Sequence, residues 1–381
     1  MSKNLKSYGL HNIQDLNYKF LSSSLKQKFI TNYKRCSLFE SQISKITNSK
    51  YSISCNNGTS AILMSILSFN IKNIVAIIPN INFVAVASII NLIKGKYIIC
   101  DVNKNTGMID KYSFLEAIDF CKLKKIKPNI FLPIHYAGNV VNLNEIKKIA
   151  TREKINIVED GCHSFGSLDI KNNPVGSCND SRCTTFSFHP VKNITTVEGG
   201  AITTNNHNVY KKLISIRNHS LIRTSIEDPY YLQNPSLNFR MGEINAEIGL
   251  QQLKKIRQFK NKRQRLVDYY ILRLKKYDKF FSIYNFKSKK IFWHLFVILL
   301  KGNLKKNKKN FMSYLSKHKI QTQIHYKPLS FHKILKKNAI KTFSKNSKIF
   351  YENQLTLPLH TKMNFKDIEY IDSKIKKYLN V

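Results

Sequence analysis

Between positions 51 and 204 short, nearly continuous apolar runs alternate with longer stretches whose apolar residues recur at helical spacing. The short runs are Tyr51–Cys55 and residues 74–78, 97–101, 129–134 and 155–158. They are rich in Ile, Val and Tyr and bounded by Gly, Pro and Asn, which predicts strands. The stretches 61–69, 83–93, 113–121 and 143–151 predict helices between them. Strands apolar on both faces and separated by helices imply an α/β fold, with a mostly parallel central sheet covered by helices. Residues 184–188 and 201–204 add two β-type runs, and Pro190 and the Gly199-Gly200 pair break the segment between them.

Outside this block the pattern changes. Residues 1–50 read as an entry arm with short helices, one of them at 38–46. A helix is expected at 209–216, then an irregular polar and aromatic segment at 220–240 that includes Pro229-Tyr-Tyr-Leu232. One long helix over about 242–274 is expected to bridge two lobes. The remainder mixes strands (293–300, 322–325) with helices (310–316, Phe365–Leu379), the pattern of a small α+β lobe. With 381 residues the chain exceeds what one core serves well. The expected division is a large domain at 1–250 and a small one at 251–381. The basic run Lys305-Lys-Asn-Lys-Lys309 reads as a solvated turn.

Charge changes this picture less than its size suggests. Sixty-three Lys and Arg against 23 Asp and Glu give a formal net charge of +40, the balance of a polyanion binder. The lysines are spread along the chain among Asn and Ile, Arg is scarce beside Lys, and no recognised nucleic-acid motif is present. A general Lys/Asn/Ile bias is the simpler account, so no nucleic-acid partner is expected. The seven cysteines are scattered and lack zinc-ligand spacing, so no metal is expected. The first residues carry no apolar signal core, and the longest apolar stretches fall short of a membrane span. The expectation is a cytoplasmic protein.

In an open α/β sheet ligands bind beyond the carboxyl ends of the strands. Asp101, His135, Asp160 and the loop carrying Lys192 fall there. Residues Asn56-Asn-Gly-Thr-Ser60 join a strand to a helix start, where free amides and the helix dipole favour an anion. A plain cap by Thr59 or Ser60 explains the same turn. Lys192, between two strands, suits a Schiff-base nucleophile because burial lowers an ammonium's pKa. On residue type alone it is one lysine among many.

Taken together the motifs are far more specific. Asn57-Gly-Thr-Ser-Ala61, Glu159-Asp-Gly-Cys-His-Ser164, Phe186-Ser-Phe-His-Pro-Val-Lys192, Glu198-Gly-Gly200 and Leu237-Asn-Phe-Arg240 occur in one order at one spacing. That order resembles the DegT/DnrJ/EryC1/StrS sugar aminotransferases, pyridoxal-phosphate enzymes of fold type I, over nearly the whole chain. Within the family, the stretch from Ser187 to Gly200, with Pro174-Val-Gly-Ser-Cys178 ahead of it and Gln323-Ile-His-Tyr-Lys-Pro328 after it, is similar to one branch. That branch aminates a UDP-linked 4-keto-6-deoxy-N-acetyl-β-L-altrosamine-type sugar in pseudaminic acid synthesis.

The resemblance implies a role for each motif residue. Lys192 would form the Schiff base with pyridoxal phosphate and serve as acid and base, and Asp160 would pair with the pyridine nitrogen. His163 would stand beside the cofactor's 3-oxygen, and Phe83 would stack on the ring. Thr59, Ser60 and Ser187 would hold the phosphate, joined by Asn238 from a neighbouring subunit. The implied assembly is a homodimer with a shared active site, acting on a nucleotide sugar with L-glutamate as donor. The family's dehydratases carry histidine where this chain has Lys192. A regulator that keeps the fold without catalysis is the other alternative. Two departures bear on the sugar: Tyr33 replaces a glycine in the family's Thr-Gln-Gly-Pro turn, and Val197 replaces a glycine of the closest branch.

Overall fold

The computed structural model describes residues 5–13, 15–222, 230–284 and 290–381; Pro229, with the rest of 223–229, lies outside the described residues. In chain order the strands are Tyr51–Cys55 (β1), Val75–Pro79 (β2), Lys96–Cys100 (β3), Ile130–Phe131 (β4), Asn156–Asp160 (β5), Cys183–Ser187 (β6) and Gly200–Thr204 (β7). A small hairpin, Leu221–Ile222 (β8) with Tyr231–Leu232 (β9), follows them. Phe281–Ile283 (β10), Phe296–Leu300 (β11), Ala339–Thr342 (β12) and Gln354–Leu357 (β13) come from the C-terminal third.

The main sheet has eight strands in the order β1-β7-β6-β5-β4-β2-β3-β12. Strand β7 runs antiparallel to both neighbours and every other pairing is parallel, as the continuous apolar runs require. Side chains alternate between two buried faces. Ala76, Ile78, Tyr97, Ile99 and Val158 join one core, and Ile77, Ile98, Phe131 and Ile157 the other. The same alternation puts Glu159 and Asp160 on opposite faces at the end of β5. Strands β10, β11 and β13 form a separate antiparallel sheet with its own core around Trp293, Phe296 and Phe311.

Three expected elements come out differently. The helix expected over 242–274 is two helices, Glu243–Lys254 and Ile256–Leu274, parted at Lys255 with φ −100° and ψ 4°. The first buries Ala246 and Leu253 with Phe39 of the helix Lys34–Thr47, while the second buries Leu266, Val267 and Tyr270 in the C-terminal core. Serving two cores requires the change of direction. The strand expected at 322–325 is a single bridge, Gln323 to Thr356. Past it the His325 amide donates to the Gln354 side chain at 3.2 Å, so the chain leaves the sheet there. The run 305–309 is helical, split between Gly302–Lys306 and Lys308–Lys317. Lys308 donates to the Tyr351 carbonyl at 2.6 Å, and burial pushes its ammonium down to about 8.

Candidate active site

A cavity of about 600 Å³ opens at the carboxyl ends of the parallel strands. Strand β5 delivers Asp160, 3% exposed, to its floor, where one carboxylate oxygen accepts the Cys162 amide at 3.1 Å. The neighbouring Glu159 points to the back of the sheet. There its carboxylate is 2.8 Å from His135 Nε2 and accepts the Thr184 hydroxyl at 3.0 Å. His135 therefore braces the strand rather than facing a ligand. Asp101 is likewise structural: its carboxylate accepts the amides of Asn346 and Ser347 at 2.7 and 2.8 Å, capping the helix Lys345–Asn353.

Lys192 enters from the loop between β6 and β7. It is half-buried and lines the cavity, and among the described residues no carboxylate is within ion-pair distance of its Nζ. Burial pushes its ammonium down from the usual lysine value, while Cys162 and Asp160 oppose the shift. The result is an amine with a larger free-base fraction than a surface lysine has, the state a carbonyl nucleophile needs.

The anion end is built by the helix Gly58–Leu67. Asn57 is its cap, accepting the Ser60 amide at 2.8 Å, in place of the Thr59 or Ser60 cap read from the sequence. That leaves the amides of Gly58 and Thr59 without an intrahelical acceptor. A Cβ at Gly58 would lie 2.7 Å from Ser187 Cβ, so only glycine lets the helix start sit against the end of β6. Thr59 and Ser187 both line the cavity.

The facing wall comes from distant parts of the chain. Tyr8, His294, His325 and Tyr326 line it, and Phe83, 52% exposed and so no core residue, stands with its ring centroid 5.6 Å from that of Tyr326. His163 Nε2 is 2.8 Å from the Tyr326 hydroxyl, and His163 Nδ1 accepts the Ala137 amide at 3.4 Å. Burial, with the Lys192 charge second, pushes His325 down to about 3. Burial also holds His163 and His294 well below the usual histidine value, with Lys192 again adding to the effect. The charged side chains among the lining residues are Asp160, Glu198 and Lys192. The lysine excess of the sequence lies elsewhere.

The cavity thus brings together Lys192, Asp160, His163, Thr59, Ser187 and Phe83. Ser60 is buried with its amide committed to Asn57, and Asn238 is exposed; neither lines the cavity of its own chain. Sequence reasoning passed over Tyr8, Cys162 and His294, and gave Tyr326 no place in the site. Tyr8 arrives because the arm packs on the C-terminal sheet, where Leu359 donates its amide to the Tyr8 carbonyl and Lys6 pairs with Asp367. Behind His294, Arg263 is 2% exposed and donates to the carbonyls of Trp293, His294 and Leu359. His325 and Tyr326 stand inside a motif quoted for its resemblance, which was the available signal.

An amine, a buried carboxylate and a helix start converging on one cavity define a transferase of the pyridoxal-phosphate class, and this donor set fits that cofactor. Residues 12–376 match the DegT/DnrJ/EryC1/StrS aminotransferase family, and the chain belongs to it. It is 30% identical over 368 residues to a UDP-4-amino-4,6-dideoxy-N-acetyl-β-L-altrosamine transaminase of Campylobacter jejuni, covering 96% of this chain and 95% of that protein. Its fold is similar to that of Helicobacter pylori PseC, an aminotransferase involved in the biosynthesis of pseudoaminic acid. There the TM-score is 0.90 at 26% identity, over 98% of this chain and 99% of that one. The pyridoxal-phosphate form of a sugar aminotransferase from Streptococcus pneumoniae aligns with a TM-score of 0.86 at 23% identity, over 98% of both chains. The chain is a pyridoxal-phosphate-dependent transaminase.

Proposed function

We propose that the protein moves an amino group from L-glutamate to the keto carbon of a nucleotide-linked 4-keto-6-deoxy sugar. The substrate inferred is of the UDP-4-keto-6-deoxy-N-acetyl-β-L-altrosamine type, which places the enzyme in the cytoplasmic route to pseudaminic acid. The observation that carries this reading is Lys192 and Asp160 facing a single cavity of about 600 Å³, room for a cofactor and a sugar together. Pyridoxal phosphate, when bound, supplies an electron sink for exchanging an amino group and a proton between two substrates.

The chain's own residues supply the rest. Lys192 would hold the cofactor and move the proton between carbon and nitrogen, a task its lowered pKa suits. Asp160 would keep a proton on the ring nitrogen, and its burial would shield that pair from water. Thr59 and Ser187, with the free amides at the helix start, receive the phosphate, and Ser60 supports that turn through Asn57. His163 would stand beside the ring oxygen and Phe83 over the ring face.

Asn238 is assigned to the phosphate of a second copy. Its exposure, and that of the nearby Tyr231, Leu232 and Leu237, supports a homodimer in which each cavity is completed by the partner. Tyr33 remains a candidate determinant of the sugar, although its φ of −126° makes no demand for glycine; the positive φ of that turn is at Asn32.

The test is to offer UDP-, dTDP- and GDP-linked keto sugars to the protein in its amino-loaded form and follow the cofactor absorbance. Return to the starting spectrum with a UDP-linked 4-keto-6-deoxy-N-acetylhexose, and regeneration by glutamate, is the expected result. Turnover only with a dTDP- or GDP-linked sugar would move the enzyme to another branch, and loss of water without amino transfer would make it a dehydratase.

A further inference from the structure

Behind the floor of the cavity, His135 and Glu159 form a buried pair that neither lines the cavity nor belongs to a hydrophobic core. We infer that His135 and Glu159 are positioning residues for Asp160, fixing how the end of β5 presents that carboxylate to the ring nitrogen of the cofactor. The inference rests on the aminotransferase reading and says what holds the acid that this reading needs.

Asp160 sits where the sheet runs out. Strand β4 is two residues long, and beyond it β5 is paired on that side by one isolated bridge, Ile134 to Asp160. Two backbone hydrogen bonds make it: the Asp160 amide donates to the Pro133 carbonyl at 2.8 Å, and the His135 amide donates to the Asp160 carbonyl at 3.0 Å. Past His135 the chain leaves the sheet through the turn Tyr136–Gly138, with Ala137 at φ +58°. A ladder that ends so abruptly frays unless side chains close it. The Asp160 side chain has to stay free for a ligand, so its place is set through the backbone.

The buried pair supplies that closure. His135 Nδ1 accepts the Val141 amide at 3.1 Å, so the ring proton sits on Nε2 and is donated to Glu159 at 2.8 Å. One ring thus closes the turn from 135 to 141 and pins it to β5. The other oxygen of Glu159 accepts the hydroxyls of Ser181 and Thr184 at 2.5 and 3.0 Å, which pins β5 to β6 as well. Burial alone would raise the Glu159 pKa, but the bonds from His135, Ser181 and Thr184 outweigh it and hold the carboxyl below the usual glutamate value. Hydrogen bonds to a buried anion are short and strong, and they fix direction. Because Glu159 and Asp160 are consecutive on one strand, holding the first on the back of the sheet sets the aim of the second at the front.

The test uses pyridoxamine phosphate, which makes no covalent bond to Lys192, beside its 1-deaza analogue, whose ring has carbon in place of the nitrogen and gives Asp160 nothing to pair with. Both are titrated calorimetrically into the full-length protein freed of cofactor and into its His135→Phe variant, which keeps an aromatic ring and loses both hydrogen bonds. Pyridoxamine phosphate is expected to weaken by about 10-fold, part of a hydrogen bond to a charged group, while the analogue binds both proteins equally. Equal weakening of the two ligands, the result of a general loosening of the fold, would overturn the inference, as would no change in either. In an Asp160→Asn background the His135 change should cost pyridoxamine phosphate nothing further, and a full second loss there is also refuting. If His135→Phe does not fold, Glu159→Gln, which keeps the side chain's shape and removes its charge, is measured against the same expectation and the same refuting results. The unmodified protein separates the two levels. Failure to bind pyridoxamine phosphate, or equal affinity for both ligands, sinks the assignment of Asp160 and this inference with it; a clear preference for pyridoxamine phosphate with equal losses in the variant sinks only the inference.

Discussion

Lys192, Asp160 and Ser187 reach the cavity from strand ends and a loop of the main sheet, whereas Tyr8, His294, His325 and Tyr326 reach it from the arm and the C-terminal third. The first wall carries formal charge of both signs; the second is polar but uncharged. The second is neutral partly because of the first, since the Lys192 charge helps suppress protonation of His294 and His325. The charged groups come from the main sheet, and the uncharged ones from segments that lie hundreds of residues apart in sequence.

Removing the amine is the largest way to break that contrast. Lys192→Ala is expected to lower kcat by at least about 1,000-fold and to abolish borohydride fixation of the cofactor, with the far-UV circular dichroism unchanged. Asp160→Asn, which keeps shape and removes charge, is expected to cost about 100-fold in kcat/KM while Lys192 still takes up the cofactor. Retention of full activity by either variant would detach the charged wall from the chemistry.

Acid tests the neutral wall. Folded His325 titrates near about 3, well below its ordinary 6.5, so the unfolded chain binds the extra proton between these values. Stability should therefore fall as pH is lowered through that window, by about 1.4 kcal/mol per pH unit for this group. Urea midpoints across pH 4 to 7 measure the slope, and His325→Asn should remove this group's share of it, leaving the shares of His163 and His294.

The smallest effect concerns the loop between β6 and β7 that also carries Lys192. Val197 stands at φ +72°, a left-handed conformation that a β-branched residue adopts at a cost of about 1–2 kcal/mol. Val197→Gly removes that strain and adds chain entropy to the unfolded state, so a net gain of up to about 1 kcal/mol is expected by denaturant unfolding. The glycine found there in the similar branch thus has a backbone reason.

The same contrast explains what the sequence could tell. Strand Tyr51–Cys55 and the helix Phe365–Leu379 stand where the pattern puts them, because the strand is a short run buried on both faces and the helix buries one face and begins with an Asn364 capping box. Lys192 and Asp160 were legible because their neighbours form contiguous motifs. The break at Lys255 was not, since it answers to two cores that only the folded chain possesses. Nor could periodicity show that β12 returns to the main sheet beside β3, or that Tyr8 meets His325 with ring centroids 5.4 Å apart. Neutral residues that converge from far apart leave no local pattern.

Glu243 has a bearing on how the protein is made. Its fully buried carboxylate accepts the amides of Tyr33, Arg35 and Cys36 at 2.7, 2.7 and 3.2 Å, from 210, 208 and 207 positions away. While the chain is still on the ribosome, the helix at Lys34–Thr47 has left the exit tunnel long before the acid that finishes its first turn is joined. Its apolar face, Cys36, Phe39 and Ile43, shares a core with Phe188, made earlier, and with Ala246 and Leu253, made only after that acid. The helix is thus synthesised well before it is fully settled, and a nascent chain ending before residue 243 leaves it half-capped, with its apolar face only partly covered, to whatever chaperone is at hand.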